Sequence, residues 1–309
     1  MTAVVQNSTT TMHTPEPVRT RPVALHRDVL LATDASPAAF AATRFVEALA
    51  ARWRVTPRVV TVVPPPPVAF DPTGVTVAFG RTLEDQLANE VQRQLELCPG
   101  VAWERETGVG SPAAEIVRVA DMRDSDLVVV GLRAHTLLDR VFRDETALSV
   151  MRHASVPVLA VTPLLTRIPR RIAVAIDFSR ASIAAARSAL TLLDDGGSLE
   201  LVYVEPPAEP HMEATEGFTT IYAQGVAAAF GRLRQELASR ANVSIETVVL
   251  HGNVVTELLS FAERADADLI ALGSQRHSTA HRAFVGSVTT GLARAAARSL
   301  LVLPPGRRA

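Results

Sequence analysis

The chain repeats itself once, and that repeat limits what it can fold into. Asp126-Leu127-Val128-Val129-Val130-Gly131 in the first half is answered by Asp268-Leu269-Ile270-Ala271-Leu272-Gly273 in the second, an offset of 268 − 126 = 142 residues. Gly110 meets Gly252 and Arg152 meets Arg294 at the same offset, and Asp34 meets Asp177 at 143. A period of this length is a whole domain duplicated, far longer than a solenoid repeat. The 309 residues agree with two domains. After the shared glycine the copies part. The second runs Gly273-Ser274-Gln275-Arg276, nine residues, then Gly286-Ser287; the first runs Gly131-Leu132-Arg133-Ala134, nine residues, then Asp144-Glu145.

Composition removes several function classes. The net charge of −1 offers no basic field for nucleic acid. No stretch approaches the roughly 18 apolar residues of a membrane span. All 31 basic residues are arginine, so a Walker-type loop, which needs its lysine on the β/γ-phosphates, is excluded. Any anion site must use backbone N–H groups, hydroxyls and arginine. The lone Cys98 cannot form an intramolecular disulfide and reads as a small apolar residue near a helix end. Residues 1–25 are rich in Thr, Ser and Pro and lack an apolar signal core, which predicts a disordered tail and a cytoplasmic protein.

Each half alternates short apolar runs with helix-like segments, the pattern of a parallel sheet covered by helices. In the first half, strands are expected at 29–33, 59–63, 101–106, 127–130 and 158–161, with helices at about 37–53, 82–97, 112–123 and 145–153. Ser36-Pro37 and Ser111-Pro112 are helix starts, with serine as cap and proline in the first position. The second half predicts strands at 172–176, 199–204, 245–250, 269–272 and 300–303, with helices at about 180–193, 213–240, 254–265 and 287–297. The fold class is therefore α/β: two tandem Rossmann-like domains, 26–163 and 164–309, each a five-stranded parallel sheet with helices on both faces. Residues 163–169 form a short linker that keeps the two close.

Asp34 and Asp177 each follow the first strand of their half, at the carboxyl edge where open parallel sheets present ligand-contacting loops. Such a carboxylate either hydrogen-bonds a ligand's ring or sugar, or caps a turn. Gly273 lets backbone approach an anion without a Cβ in the way. Gly286-Ser287 at a helix start supplies N–H donors, the positive dipole end and a hydroxyl, so the loop can wrap a polyphosphate from two sides. Asp144 and Glu145 in the first half suit a helix dipole but repel phosphate by a few kcal/mol each at about 4–6 Å and an effective dielectric near 20. His277 and His281 are four apart but lack a third ligand, which favours loop histidines over a metal site. Arg282, Arg294 and Arg298 flank the loop and the following helix, and Arg294 and Arg298 read as ordinary helix-end arginines. No Gly-x-Ser-x-Gly elbow, no G-x-G-x-x-G after a first strand, and no lysine of a response regulator is present.

On these residues the chain resembles a tandem universal stress protein over roughly 25–163 and 168–305. The resemblance rests on Thr33-Asp34-Ala35-Ser36-Pro37 and Ile176-Asp177-Phe178-Ser179, on Gly110-Ser111-Pro112 and the looser Gly252-Asn253-Val254, and on the Asp-Leu-apolar-Gly strand of both halves. ATP-binding members carry G-x2-G-x9-G-[S/T]. Gly273, Gly286 and Ser287 match it, Arg276 replaces the second glycine, and only Gly131 survives in the first half. The resemblance implies an adenine-nucleotide α-hydrolase-like fold and a nucleotide site formed by Asp177, Val204 at the end of the second strand, Gly273, Arg276, Gly286 and Ser287. Arg276 either reaches a phosphate oxygen or obstructs the close approach that glycine permits. The implied ligand is ATP, with Mg²⁺, or another adenine nucleotide, in a stress-response regulator that is not an enzyme. The first half would serve assembly, its last strand pairing with the last strand of the second half across a pseudo-twofold. A homo-oligomer and a protein partner are implied as well. The alternative is a nucleotide-free scaffold acting through protein contacts.

Overall fold

In a computed structural model of the chain, the described residues are 28–64, 75–133, 145–205, 216–238, 242–274, 286–295 and 297–304. The first half runs β1 (Asp28–Ala32), α1 (Pro37–Trp53), β2 (Thr56–Val63), α2 (Val75–Glu96), β3 (Glu104–Val109), α3 (Pro112–Met122), β4 (Leu127–Gly131), α4 (Glu145–His153) and β5 (Val158–Val161). The second runs β6 (Arg171–Ala175), α5 (Arg180–Leu192), β7 (Ser198–Glu205), α6 (Glu216–Leu237), β8 (Ser244–His251), α7 (Val254–Arg264), β9 (Leu269–Gly273), α8 (Ser287–Ala295) and β10 (Ser299–Leu303). Ten strands form one sheet in the order β3-β2-β1-β4-β5-β10-β9-β6-β7-β8.

The order follows from where the apolar runs fall. Val29, Leu30 and Leu31 of β1 and Leu127, Val128 and Val129 of β4 are fully buried, and the two strands are parallel neighbours. β6 and β9 repeat the arrangement in the second half. Strands apolar on both faces need helices on both faces. α1, α2, α5 and α6 contribute Phe45, Val91, Ala189 and Phe230 to the core on one side of the sheet. α3, α4, α7 and α8 contribute Val119, Val150, Leu258 and Leu292 on the other. Ser36 caps α1, its Oγ accepting from Ala39 N at 3.3 Å, and Ser179 caps α5, accepting from Ser182 N at 3.2 Å.

All neighbours within a half are parallel, and the halves meet through the antiparallel pair β5–β10, with Leu301 opposite Leu159. The expected pairing of the last strands is therefore what joins the domains, and it removes two edges that would invite aggregation. At the seam, Thr162 N donates to the buried Ser299 Oγ at 3.0 Å.

Three elements depart from expectation: β2 begins at Thr56, three residues before the expected 59, because Asp28 of β1 pairs with Thr56. β3 begins three residues later than expected, at Glu104, because its register is set by pairing with β2 from Arg58 opposite Glu104 to Val63 opposite Val109. Val101 and Trp103 looked like strand residues, but they pack against the core ahead of the strand. Trp103 Nε1 donates to the Cys98 carbonyl at 3.3 Å. α2 starts at Val75, not near 82. Cys98 is buried, and burial followed by the nearby Glu47 pushes its thiol up to about 11, as the structural reading of this residue requires. Residues 1–25 lie outside the described residues, and no described helix is long and apolar enough to cross a membrane.

One buried carboxyl makes stability depend on pH. Glu200 of β7 is 8% exposed, and burial pushes its carboxyl above the usual carboxylate range, with Glu246 on β8 adding to the shift and the Ser198 hydroxyl opposing it. A carboxyl raised on folding contributes stability that is complete below its unfolded value of about 4.3 and is lost as pH rises through its folded value. Glu200→Gln should therefore leave stability nearly unchanged in acid and raise it progressively toward neutral and alkaline pH. Urea melts at about pH 4 and about pH 8 measure this as a gain in midpoint present only in the second.

Candidate functional site

In an open parallel sheet a crevice forms at the carboxyl ends of two neighbouring strands whose onward connections leave in opposite directions. In the second half that point lies between β6, which continues to β7, and β9, which continues to β10. Ala175 lies opposite Leu272, so Asp177 and Gly273 leave the sheet beside each other. β1 and β4 form the equivalent point in the first half.

Both aspartates make the same turn. Asp177 Oδ1 accepts from Ser179 N at 2.9 Å, and Asp34 Oδ1 accepts from Ser36 N at 3.0 Å. The residue after each takes a left-handed conformation, Phe178 at φ 59° and Ala35 at φ 57°. The turn role of this aspartate is thus present in both halves. A carboxylate has about four lone-pair sites, so the turn alone does not exhaust the group. Asp177 is exposed at the crevice.

Gly273 has a structural duty that the sequence did not disclose. A Cβ there would stand 2.3 Å from the carbonyl carbon of Ala181 and 2.6 Å from Ser182 N, in the first turn of α5. At Gly131 a Cβ would stand 2.7 Å from the carbonyl carbon of Ala38 in α1. The glycine lets the helix after the first strand approach the end of its neighbour. That requirement explains why the first half keeps this residue after losing the rest of the loop. Val204, 7% exposed near the end of β7, lies beside the same turn, since Ile176 N donates to Val202 O at 2.8 Å.

Because β9 and β10 are parallel, α8 must run back between them, which sets its N-terminus at the carboxyl edge. The Gly286 carbonyl accepts from Thr290 N at 3.1 Å, so Gly286 caps the helix and Ser287 opens it, exposed. The first turn of α8 carries no acid, whereas α4 in the first half opens on Glu145. The N–H groups of a first helical turn have no partner within the helix. A Cβ at Gly286 would meet nothing within 4 Å. Arg276, His277, His281 and Arg282 lie outside the described residues, as does Asp144. Arg294 is in the last turn of α8, at the far end from Gly286, and Arg298 pairs with Asp266 at 3.5 Å. Among the described residues no group of three or more His, Cys, Asp or Glu could hold a metal ion.

Beneath Asp177 the structure adds residues that sequence reasoning passed over. Phe178 packs on Tyr203 and Phe230, with ring centroids 5.5 and 5.1 Å away, and the Tyr203 hydroxyl meets that of Tyr222. Burial pushes the Tyr203 phenol up to about 12, with Tyr222, Glu205 and Asp177 adding to it. Tyr203 and Tyr222 are the chain's only two tyrosines, which was the signal available. In the first half α2 is tied to the aspartate turn by polar contacts instead: Gln94 Oε1 accepts from Thr33 Oγ1 at 2.8 Å and from Thr43 Oγ1 at 3.3 Å. Gln94 Nε2 also donates to the Ser36 carbonyl at 3.4 Å. The two copies therefore differ under the aspartate as well as in the loop.

A family model described as the universal stress protein family matches residues 26–162 and again 169–304. A search of curated proteins finds no match. Among solved structures, a universal stress protein from Archaeoglobus fulgidus is similar at a TM-score of 0.67 and 17% identity, over 90% of this chain and 98% of that one. A putative universal stress protein from Pseudomonas aeruginosa is similar at 0.59 and 15% identity, over 91% and 94%. At these identities the likeness is one of fold.

Proposed function

The chain belongs to the universal stress protein family, and from that premise we propose that its second half binds ATP or another adenine nucleotide in a stress-response regulatory role. The observation that carries this reading is the start of α8. It is a helix N-terminus with a glycine cap, an exposed serine and no acid in its first turn, set at the crevice between β6 and β9. The dipole and the first-turn N–H groups favour an anion there. In this reading Gly286 and Ser287 receive the polyphosphate, with Mg²⁺ where the nucleotide carries it. Asp177 receives the ring or sugar, and Val204 lies along the base. Arg276 joins from the loop.

The protein is a binder in this reading, not an enzyme, because the chain has no lysine to stabilise a transferring phosphate. The first half serves assembly, and the reading extends to a cytoplasmic protein that acts through a partner and forms homo-oligomers. Calorimetry of the intact protein with ATP and Mg²⁺ tests the site. One nucleotide per chain is expected. Two would give the first half a site as well, and none would remove the proposal.

A second reading, a nucleotide-free scaffold, gains from the packing duty of Gly273, which accounts for one matched glycine without any ligand. Purified protein treated with acid discriminates the two: release of material absorbing at 260 nm favours nucleotide, and its absence together with a flat calorimetric trace favours the scaffold.

A further inference from the structure

The ten-stranded sheet ends at β3 on one side and at β8 on the other, and the two edges are built differently. At β3 the strand opens on Glu104, Arg105 and Glu106, with Arg58 pairing to Glu104 at 2.6 Å and Arg123 to Glu106 at 3.2 Å. Charge of this kind keeps a native edge from pairing with another strand. β8 has no charge between Glu246 and His251, and its run Thr247-Val248-Val249-Leu250 is rich in β-branched residues. Val249 is 44% exposed, and with Tyr222, Val226 and Phe230 of α6 it lines a largely apolar groove of about 480 Å³ along this edge.

The register shows which backbone groups of this edge are free. Ser244 N donates to the Gly197 carbonyl at 3.1 Å and Gly252 N to the Glu205 carbonyl at 3.0 Å, so the even-numbered residues of β8 turn their N–H and C=O groups toward β7. Ile245, Thr247, Val249 and His251 turn theirs outward, and among the described residues none of these backbone groups has a hydrogen-bond partner. The four lie symmetrically about Val248. A second copy laid antiparallel on the edge, with a twofold axis at Val248, sets Ile245 opposite His251 and Thr247 opposite Val249, and every outward group is bonded. No like charges face each other, since Glu246 falls opposite Leu250. A strand from another protein would bond the same groups but leave its own far edge open. A β8–β3 contact between copies would leave one edge of each kind free and run on as a filament. Pairing β8 with β8 closes, and the joined sheet then ends at both sides on the charged β3.

We propose that the chain forms a twofold dimer through β8, the two strands pairing antiparallel about Val248 with the α6 groove of each copy beside the seam. This rests on the proposed function only in giving its homo-oligomer an interface. It stands whether or not the start of α8 binds nucleotide.

Light scattering on the intact protein at about 50 µM should give twice the 33.0 kDa of one chain. Val249→Lys places a charge at an exposed edge position; it should keep the parent's circular dichroism and fall to the mass of one chain. Its ATP titration should match the parent's, so loss of the dimer and loss of the nucleotide site are read separately. Val248→Cys has the buried Cys98 as its only companion thiol and should oxidise to a disulfide-linked dimer. Residues facing each other at such a non-hydrogen-bonded pair stand about 4.5 Å apart between Cα atoms, within disulfide reach. Val109→Cys, at the exposed end of β3, should stay unlinked under the same oxidation. A parent with the mass of one chain would leave the edge to a strand of another protein and overturn the proposal. A doubled mass in Val249→Lys, or Val248→Cys linking no better than Val109→Cys, would overturn it as well.

Discussion

Gly286→Asp should abolish ATP binding in calorimetry while leaving the thermal midpoint at or above that of the parent. The fold has room for the change: a Cβ at this position meets nothing within 4 Å, and the backbone is not in the left-handed region that only glycine favours. Aspartate is also among the preferred helix caps and suits the positive end of α8. What it cannot do is share that end with a phosphate. A carboxylate about 5 Å from one phosphate charge, at an effective dielectric near 20, costs about 3 kcal/mol, which is a hundredfold or more in affinity. Gly286→Asn supplies a cap of the same shape without the charge and should bind ATP within a few-fold of the parent. Undiminished binding by the aspartate variant would move the phosphates away from α8. Equal losses in both variants would point to shape and not charge. The substitution also imitates the first half, where Asp144 follows the nine-residue spacing at this place.

Much of the fold was legible because buried parallel strands announce themselves. Runs such as Leu127 to Val130 and Leu269 to Leu272 have no polar residue to face water, so they must lie inside a covered sheet. The pairing of β5 with β10 followed from the family resemblance and is found in register, Leu301 opposite Leu159. β3 was misplaced because it is an edge strand whose residues Glu104, Arg105 and Glu106 carry charge, while the apolar Val101 and Trp103 sit before it. Hydrophobic pattern is weakest at such edges. At the site, position in sequence identified the turn aspartates, but it could not say what lies within 3 Å of a glycine. Nor could it show that Phe178, Tyr203 and Phe230 meet, since they come from a turn, a strand and a helix far apart along the chain.

Gly273→Ala should destabilise the protein by about 3 kcal/mol in urea denaturation, near the upper end of what overpacking usually costs. The added methyl would stand 2.3, 2.5 and 2.6 Å from three backbone atoms of Ala181 and Ser182. Those atoms belong to the first turn of α5, fixed by the Ser179 cap and packed on β9, so they cannot swing aside as the end of a long side chain would. Gly131→Ala meets α1 at 2.7 to 2.8 Å and should cost less, about 2 kcal/mol. The pair separates the two duties assigned to this glycine. If helix packing is its duty in both halves, both variants lose stability in the order of their contacts. Whatever folded Gly273→Ala protein remains should then bind ATP nearly as well as the parent. If phosphate approach were the duty in the second half, Gly273→Ala would melt like the parent and lose ATP, and Gly131→Ala would be silent. The contact distances favour the first outcome, because a clash of this size with backbone acts on the folded state before any ligand arrives.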